Sequence, residues 1–197
     1  SKLDLLVMVK RAASDMHGRA SRDRGPFQFP GLMGRLFFNL LGFNRDMDLN
    51  NAADSYANAT AEFLKIAQNL SESELDSSPS GGWTARQVIH HVADSEAQSY
   101  ARLRRLIAEP GTQIQGYDEG GWGENQTLGY KDLPIEPSLA VFKAVRASSL
   151  EIIKRLSEPQ LENSGIHTES GEYTIKTWLE TYINHPLEHA AQIRSNS

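Results

Sequence analysis

The stretch Thr84-Ala-Arg-Gln-Val-Ile-His-His91-Val-Ala-Asp-Ser95 carries both a helix start and a helix face. Thr84 reads as an N-cap, and Gln87 at the third helical position completes a capping box, in which each residue's side chain accepts from the other's backbone N–H. Val88, His91, Val92, Ser95 and Ser99 follow along neighbouring faces, and Pro110-Gly111 stops the run, which predicts a helix to about Glu109. Working outward, Ala53, Tyr56, Ala57, Thr60, Phe63, Leu64, Ala67 and Leu70 recur at three- and four-residue steps and predict a helix over 50–70. Leu139, Phe142, Val145, Leu150, Ile153 and Leu156 predict another over 136–157, and Trp178, Leu179, Tyr182, Ile183, Leu187 and Ala190 a last one over 174–194. No strand pattern of useful length stands out. The expected fold is all-α, a four-helix bundle.

Composition bounds the rest. A chain of 197 residues suits one sizeable domain, and no run approaches the ~18 apolar residues of a membrane span. The absence of cysteine excludes disulfides, iron–sulfur ligation, thiolate zinc sites and a cysteine nucleophile, and it suits a reducing, cytoplasmic setting. Net charge is −5, unevenly spread: residues 1–49 hold 8 Lys/Arg against 5 Asp/Glu, and residues 50–197 hold 12 against 20. An acidic body argues against a nucleic-acid surface.

Residues 1–49 read as an irregular, partly helical N-terminal extension, and 50–197 as the bundle domain. The apolar run 32–43 within the extension reads as a cover for one end of the bundle, or as a lipid or dimer contact. Residues 110–135 carry six glycines and little apolar periodicity, a loop long enough to suspect function. Residues 158–173 read as a polar connector.

The chemistry sits in the histidines. His185 and His189, four apart on the last predicted helix, share a face with Cβ atoms about 6 Å apart, so two imidazoles can converge on one ion. A third ligand must then come from another helix. Of the adjacent pair His90 and His91, only one is expected to face the core, and His91 shares its face with Val88 and Ser95. Three neutral imidazoles leave coordination positions open, as catalytic sites do. His185-Pro-Leu-Glu188-His189 also fits the H-x-x-E-H pattern of inverzincin proteases, with nothing else in the chain to support that architecture. Glu188 is a candidate base and Asp94 a candidate second acceptor behind an imidazole of His91 or of an exposed His90. Tyr117, Asp118 and Trp122, with Glu119 and Glu124, are candidate walls of a substrate pocket. His167 and the basic cluster Arg102, Arg104 and Arg105 read as surface, and Trp83 and Trp178 as packing. Pro186, inside the last helix, is expected to kink it and free the carbonyl of Tyr182 or Ile183.

Several motifs in order carry a resemblance. Gly81-Gly-Trp-Thr-Ala-Arg-Gln-Val-Ile-His-His-Val-Ala-Asp-Ser95 resembles the second-helix motif of the YfiT-like branch of the DinB-like superfamily. Tyr117-Asp-Glu-Gly-Gly-Trp122, Glu169-Ser-Gly171 and the closing His185…His189 helix are similar to the same branch, over residues 50–194. The resemblance implies a four-helix bundle holding one divalent ion, zinc or nickel, on His91, His185 and His189. It implies a metal-dependent hydrolase, or a transferase that activates a low-molecular-weight thiol, acting on a small molecule, in a homodimer. The alternative is a non-catalytic metal- or ligand-binding stress or resistance protein on the same fold.

Overall fold

The computed structural model describes residues 48–78 and 81–196. The expectations for residues 1–47 lie outside the described residues. Four long helices build the body: α1 (Leu49–Ala67), α3 (Ala85–Ala108), α5 (Glu136–Ile153) and α6 (Ile175–Asn196). Two short ones, α2 (Glu72–Leu75) and α4 (Glu119–Glu124), sit in the connectors, and a 3-10 turn spans Glu158–Glu162. The capping box forms as the sequence dictates: Thr84 accepts from Gln87 N–H at 3.3 Å, and Gln87 Oε1 accepts from Thr84 N–H at 3.1 Å.

α1 packs mainly on α6, α3 on α5 and α3 on α6, which leaves α1 diagonal to α3 and α5 diagonal to α6. Two apolar clusters set the helix directions. One joins Phe63 and Ala67 of α1, Val88, Ile89 and Val92 of α3, Leu139 and Phe142 of α5, and Ala190 and Ile193 of α6. The other joins Tyr56, Leu103, Leu106, Ile153, Trp178, Leu179 and Tyr182. Thus α3 and α5, though adjacent, run parallel, as do α1 and α6. A parallel neighbour requires the chain to return along the whole of α3, about 36 Å at 1.5 Å per residue. That geometry is the reason for the long segment after Pro110: it is a strap laid along α3.

The strap is pinned as it goes. Arg102 Nη2 donates to Gln115 O, Gln87 Nε2 to Gly123 O, the Tyr130 hydroxyl to Asp94 Oδ2, and Arg86 Nη1 to Leu133 O. Gly123 admits no side chain, since a Cβ there would stand 2.6 Å from the Trp83 ring.

Both connectors also hold strand, which the residue pattern does not announce. β1 (Gln113–Ile114) pairs in parallel with β2 (Ser164–His167), and β2 antiparallel with β3 (Gly171–Thr174), in register Ile114↔His167 and Ser164↔Thr174. Strands of two and four residues are too short for alternation to show. The bundle is as expected, with a three-stranded sheet closing its end beside Trp178. His167, expected at the surface, is buried in β2 against Tyr173, with ring centroids 5.6 Å apart.

Between the two apolar clusters lies a polar layer built on one guanidinium. Arg146 on α5, fully buried, donates to Thr60 Oγ1 and Tyr56 O on α1, to Glu96 Oε1 on α3 and to Tyr182 O on α6. Its plane lies over the Tyr56 ring, 3.6 Å from the centroid. One side chain therefore contacts every long helix of the bundle. Among the described helices none is long and apolar enough to cross a membrane.

Candidate metal centre

The histidines meet at this layer. His91 projects from α3, and His185 and His189 from successive turns of α6. Nε2 of His185 lies 3.2 Å from Nε2 of His91 and 3.1 Å from Nε2 of His189. His91 is buried, His185 and His189 partly so. His189 Nδ1 donates to Gln192 Oε1 at 2.8 Å, which fixes its tautomer and leaves Nε2 with a lone pair. His185 Nε2 carries at most one hydrogen, yet faces two nitrogens. Hydrogen bonding among neutral rings cannot satisfy all three; one cation accepts all three lone pairs. Two ligands about 2.05 Å from a tetrahedral ion sit about 3.3 Å apart, close to the spacing found.

Electrostatics suit the same use. Burial, followed by the neighbouring His189, pushes His91 down to about 3. Burial pushes His185 well below the usual imidazole value, with His189, His91 and Arg146 adding to it. His189 is lowered by burial, partly offset by Gln192. All three rings are therefore neutral near pH 7, the form a metal requires. These are the described His, Cys, Asp and Glu residues whose ligating atoms gather closely enough, within 4.8 Å, to share one ion.

The surroundings differ from expectation in several places. His90 is not exposed: its Nε2 donates to Leu133 O at 3.2 Å and its Nδ1 accepts from Ser138 Oγ at 2.8 Å. Both adjacent histidines are buried because the strap and α5 cover the N-terminal half of α3 on the side away from α6. Asp94 orients neither imidazole through a hydrogen bond; it accepts the Tyr130 hydroxyl at 2.6 Å and so anchors the strap. Glu188 lies exposed on α6, although partial desolvation raises its carboxyl above the ordinary value. Asp118 caps α4, its Oδ1 accepting from Gly121 N–H at 2.9 Å. Tyr117 and Trp122 form a tilted aromatic pair, centroids 4.6 Å apart, with the Tyr117 hydroxyl buried and its pKa raised by that burial. Trp83, read as packing, lies tilted against the His91 ring, centroids 5.0 Å apart, and so borders the centre itself. Arg102 turns inward, donating to the Tyr182 hydroxyl at 3.0 Å.

Gln192, Arg146 and Glu96 escaped the sequence reading. Gln192 was open to discovery, being three residues from His189 on the same face. Nothing local marks Arg146 or Glu96, whose partners are 36 to 90 residues distant.

A four-helix bundle with parallel neighbours, a strap along α3 and three converging imidazoles defines a class of helical protein with a metal-competent centre. The chain belongs to the DinB superfamily, whose family model matches residues 55–193. An Oceanobacillus iheyensis protein named as a candidate metal-dependent hydrolase is 34% identical over 176 residues, covering 87% of this chain and 92% of its own. A Bacillus cereus protein named likewise is 33% identical over 135 residues, covering 68% and 76% respectively. Among solved structures, YfiT from Bacillus subtilis, described as a candidate metal-dependent hydrolase with an unusual four-helix bundle topology, superposes with a TM-score of 0.71. That match has 26% identity and covers 78% of this chain and 90% of that one. A mycothiol-dependent maleylpyruvate isomerase shares the fold at a TM-score of 0.59 and 14% identity.

Proposed function

We propose that His91, His185 and His189 hold one divalent ion, zinc or nickel, and that the protein uses it to act on a small molecule, by hydrolysis or by transfer of a low-molecular-weight thiol. The observation that carries the reading is the convergence of the three imidazoles in a buried, neutral setting. His185 Nε2 lies 3.2 Å from His91 Nε2 and 3.1 Å from His189 Nε2, and all three ligating atoms fall within 4.8 Å of one another. An ion held by these residues would supply Lewis acidity at an open position, to water, whose pKa it would lower toward ~7, or to the sulfur of a small thiol. The second use supplies the sulfur nucleophile that a chain without cysteine lacks.

The protein's own part is positional. Gln192 holds the His189 ring and Trp83 packs against His91, and the aromatic pair Tyr117 and Trp122 is the proposed wall of the substrate pocket. Glu188 remains the carboxylate to test as a proton carrier, since Asp94 already accepts the Tyr130 hydroxyl. A homodimer in the cytoplasm belongs to the same proposal, and sedimentation reads the first part of it.

The test is the metal-loaded protein assayed for ester and amide hydrolysis and for thiol conjugation of an electrophile, with and without chelator. One of these activities is expected, lost on chelation and in His185→Ala, and restored to the native protein by Zn2+ or Ni2+. Activity that survives complete metal removal overturns the enzyme reading. Equal, substoichiometric metal in the native protein and in His91→Ala, His185→Ala and His189→Ala overturns the site.

A further inference from the structure

Pro186 stands inside α6, which continues through it from Ile175 to Asn196. Proline has no backbone N–H, so the carbonyl four residues earlier, on buried Tyr182, lacks its helical donor. Arg146 Nη1 fills the gap, donating to Tyr182 O at 2.8 Å and, from the same nitrogen, to Glu96 Oε1 at 2.5 Å. Tyr182 precedes His185 by three residues and Glu96 follows His91 by five, so each tie falls about one turn from a histidine of the centre. Nε and Nη2 of the same guanidinium bind Thr60 and Tyr56, so the group cannot follow one helix without the others.

Resting on the metal-site reading above, we infer that Arg146 is a positioning residue for the histidines: its guanidinium captures the carbonyl that Pro186 frees and locks it to Glu96, setting the distance between α3 with His91 and α6 with His185 and His189. The proline and the arginine form one device. Without Pro186, Tyr182 O returns to the α6 ladder and loosens the link to α3. Without the fork of Arg146, a buried carbonyl and a buried carboxylate lose their common donor. Lysine keeps the charge but cannot span both.

The experiment uses the full chain, native and as Pro186→Ala, Arg146→Lys and the double variant. Zn2+ affinity is read by competition with a chromogenic chelator, coordination geometry from the visible absorption of the Co2+ form, and fold integrity from melting of the metal-free protein. Pro186→Ala is expected to bind Zn2+ at least ten-fold more weakly, with altered Co2+ bands. Its metal-free melting temperature should be unchanged or higher, since alanine favours the helix. Arg146→Lys is expected to alter the Co2+ bands likewise, and the double variant to bind no more weakly than the weaker single one, because both act through one contact.

Native Co2+ bands and Zn2+ affinity within two-fold in Pro186→Ala overturn the inference, as does an affinity loss tracked by an equal loss of metal-free stability. Pro186→Ala carries the test alone if Arg146→Lys fails to fold. Native Zn2+ binding that His185→Ala leaves intact would instead remove the metal-site reading, and this inference with it.

Discussion

Acid should destabilise the metal-free protein through His91, and by a definite amount. The ring is buried, with burial followed by His189 holding its pKa down to about 3. In the unfolded chain it titrates near 6.5. Between those values the unfolded state binds a proton that the native state refuses, so stability present above about pH 6.5 is lost progressively as pH falls toward 3. The slope is about 1.4 kcal/mol per pH unit, so at pH 5 His91 alone costs about 2 kcal/mol. His185 and His189, also lowered by burial, add in the same direction. The assay is urea unfolding of chelator-treated protein at several pH values from 8 to 5, native against His91→Ala. The alanine variant loses packing at every pH, which moves the intercept; the diagnostic quantity is the slope, expected to fall by about one proton per molecule below pH 6.5. Equal slopes in the two proteins would refute a buried neutral His91. Saturating Zn2+ in the native protein offsets the acid loss, because the ion holds the rings unprotonated.

Other outcomes follow from the same geometry. Gln192→Ala removes the acceptor of the His189 Nδ1 hydrogen and should weaken Zn2+ binding about 10–100-fold in chelator competition, with metal-free melting little changed. Zn2+ at about a thousand times its dissociation constant should add about 4 kcal/mol, roughly 8–16 °C by calorimetry, and an unmoved melting temperature would contradict a folded-state site. Trp178→Ala empties the layer beside Tyr56 and Tyr182 and leaves Ser99 O without its indole donor, so a loss of about 3–5 kcal/mol is expected in urea unfolding. Glu188→Gln is expected to keep the turnover of whichever activity is found within a few-fold; a fall of a hundred-fold or more would make Glu188 the general base.

The helices were legible because their information is local. Thr84 and Gln87 cap α3 through groups three residues apart, and the apolar stripes of α1, α3, α5 and α6 record which face is dry at a spacing the backbone imposes. The His185–His189 pair is local in the same sense. The order β1-β2-β3 was not legible: β1 pairs with β2 about 50 residues away, and the β2–β3 hairpin, though local, is built of four-residue strands too short for alternation to show. Nor was the burial of His90, because helical periodicity describes one buried face and α3 is covered on more than one.

Sequence by itself thus determined the four helices, the capped start of α3 and the three histidines able to share an ion, all through interactions within one or two turns or through a family resemblance written in those turns. α1 and α5 stop at Ala67 and Ile153, three and four residues short of the ends predicted from their apolar stripes. Only the tertiary structure decided that α3 and α5 run parallel, that Asp94 holds Tyr130 rather than a ring, and that the carbonyl freed by Pro186 belongs to Arg146. A guanidinium buried among four helices has partners set by packing, and packing distances are not encoded in the spacing of residues along the chain.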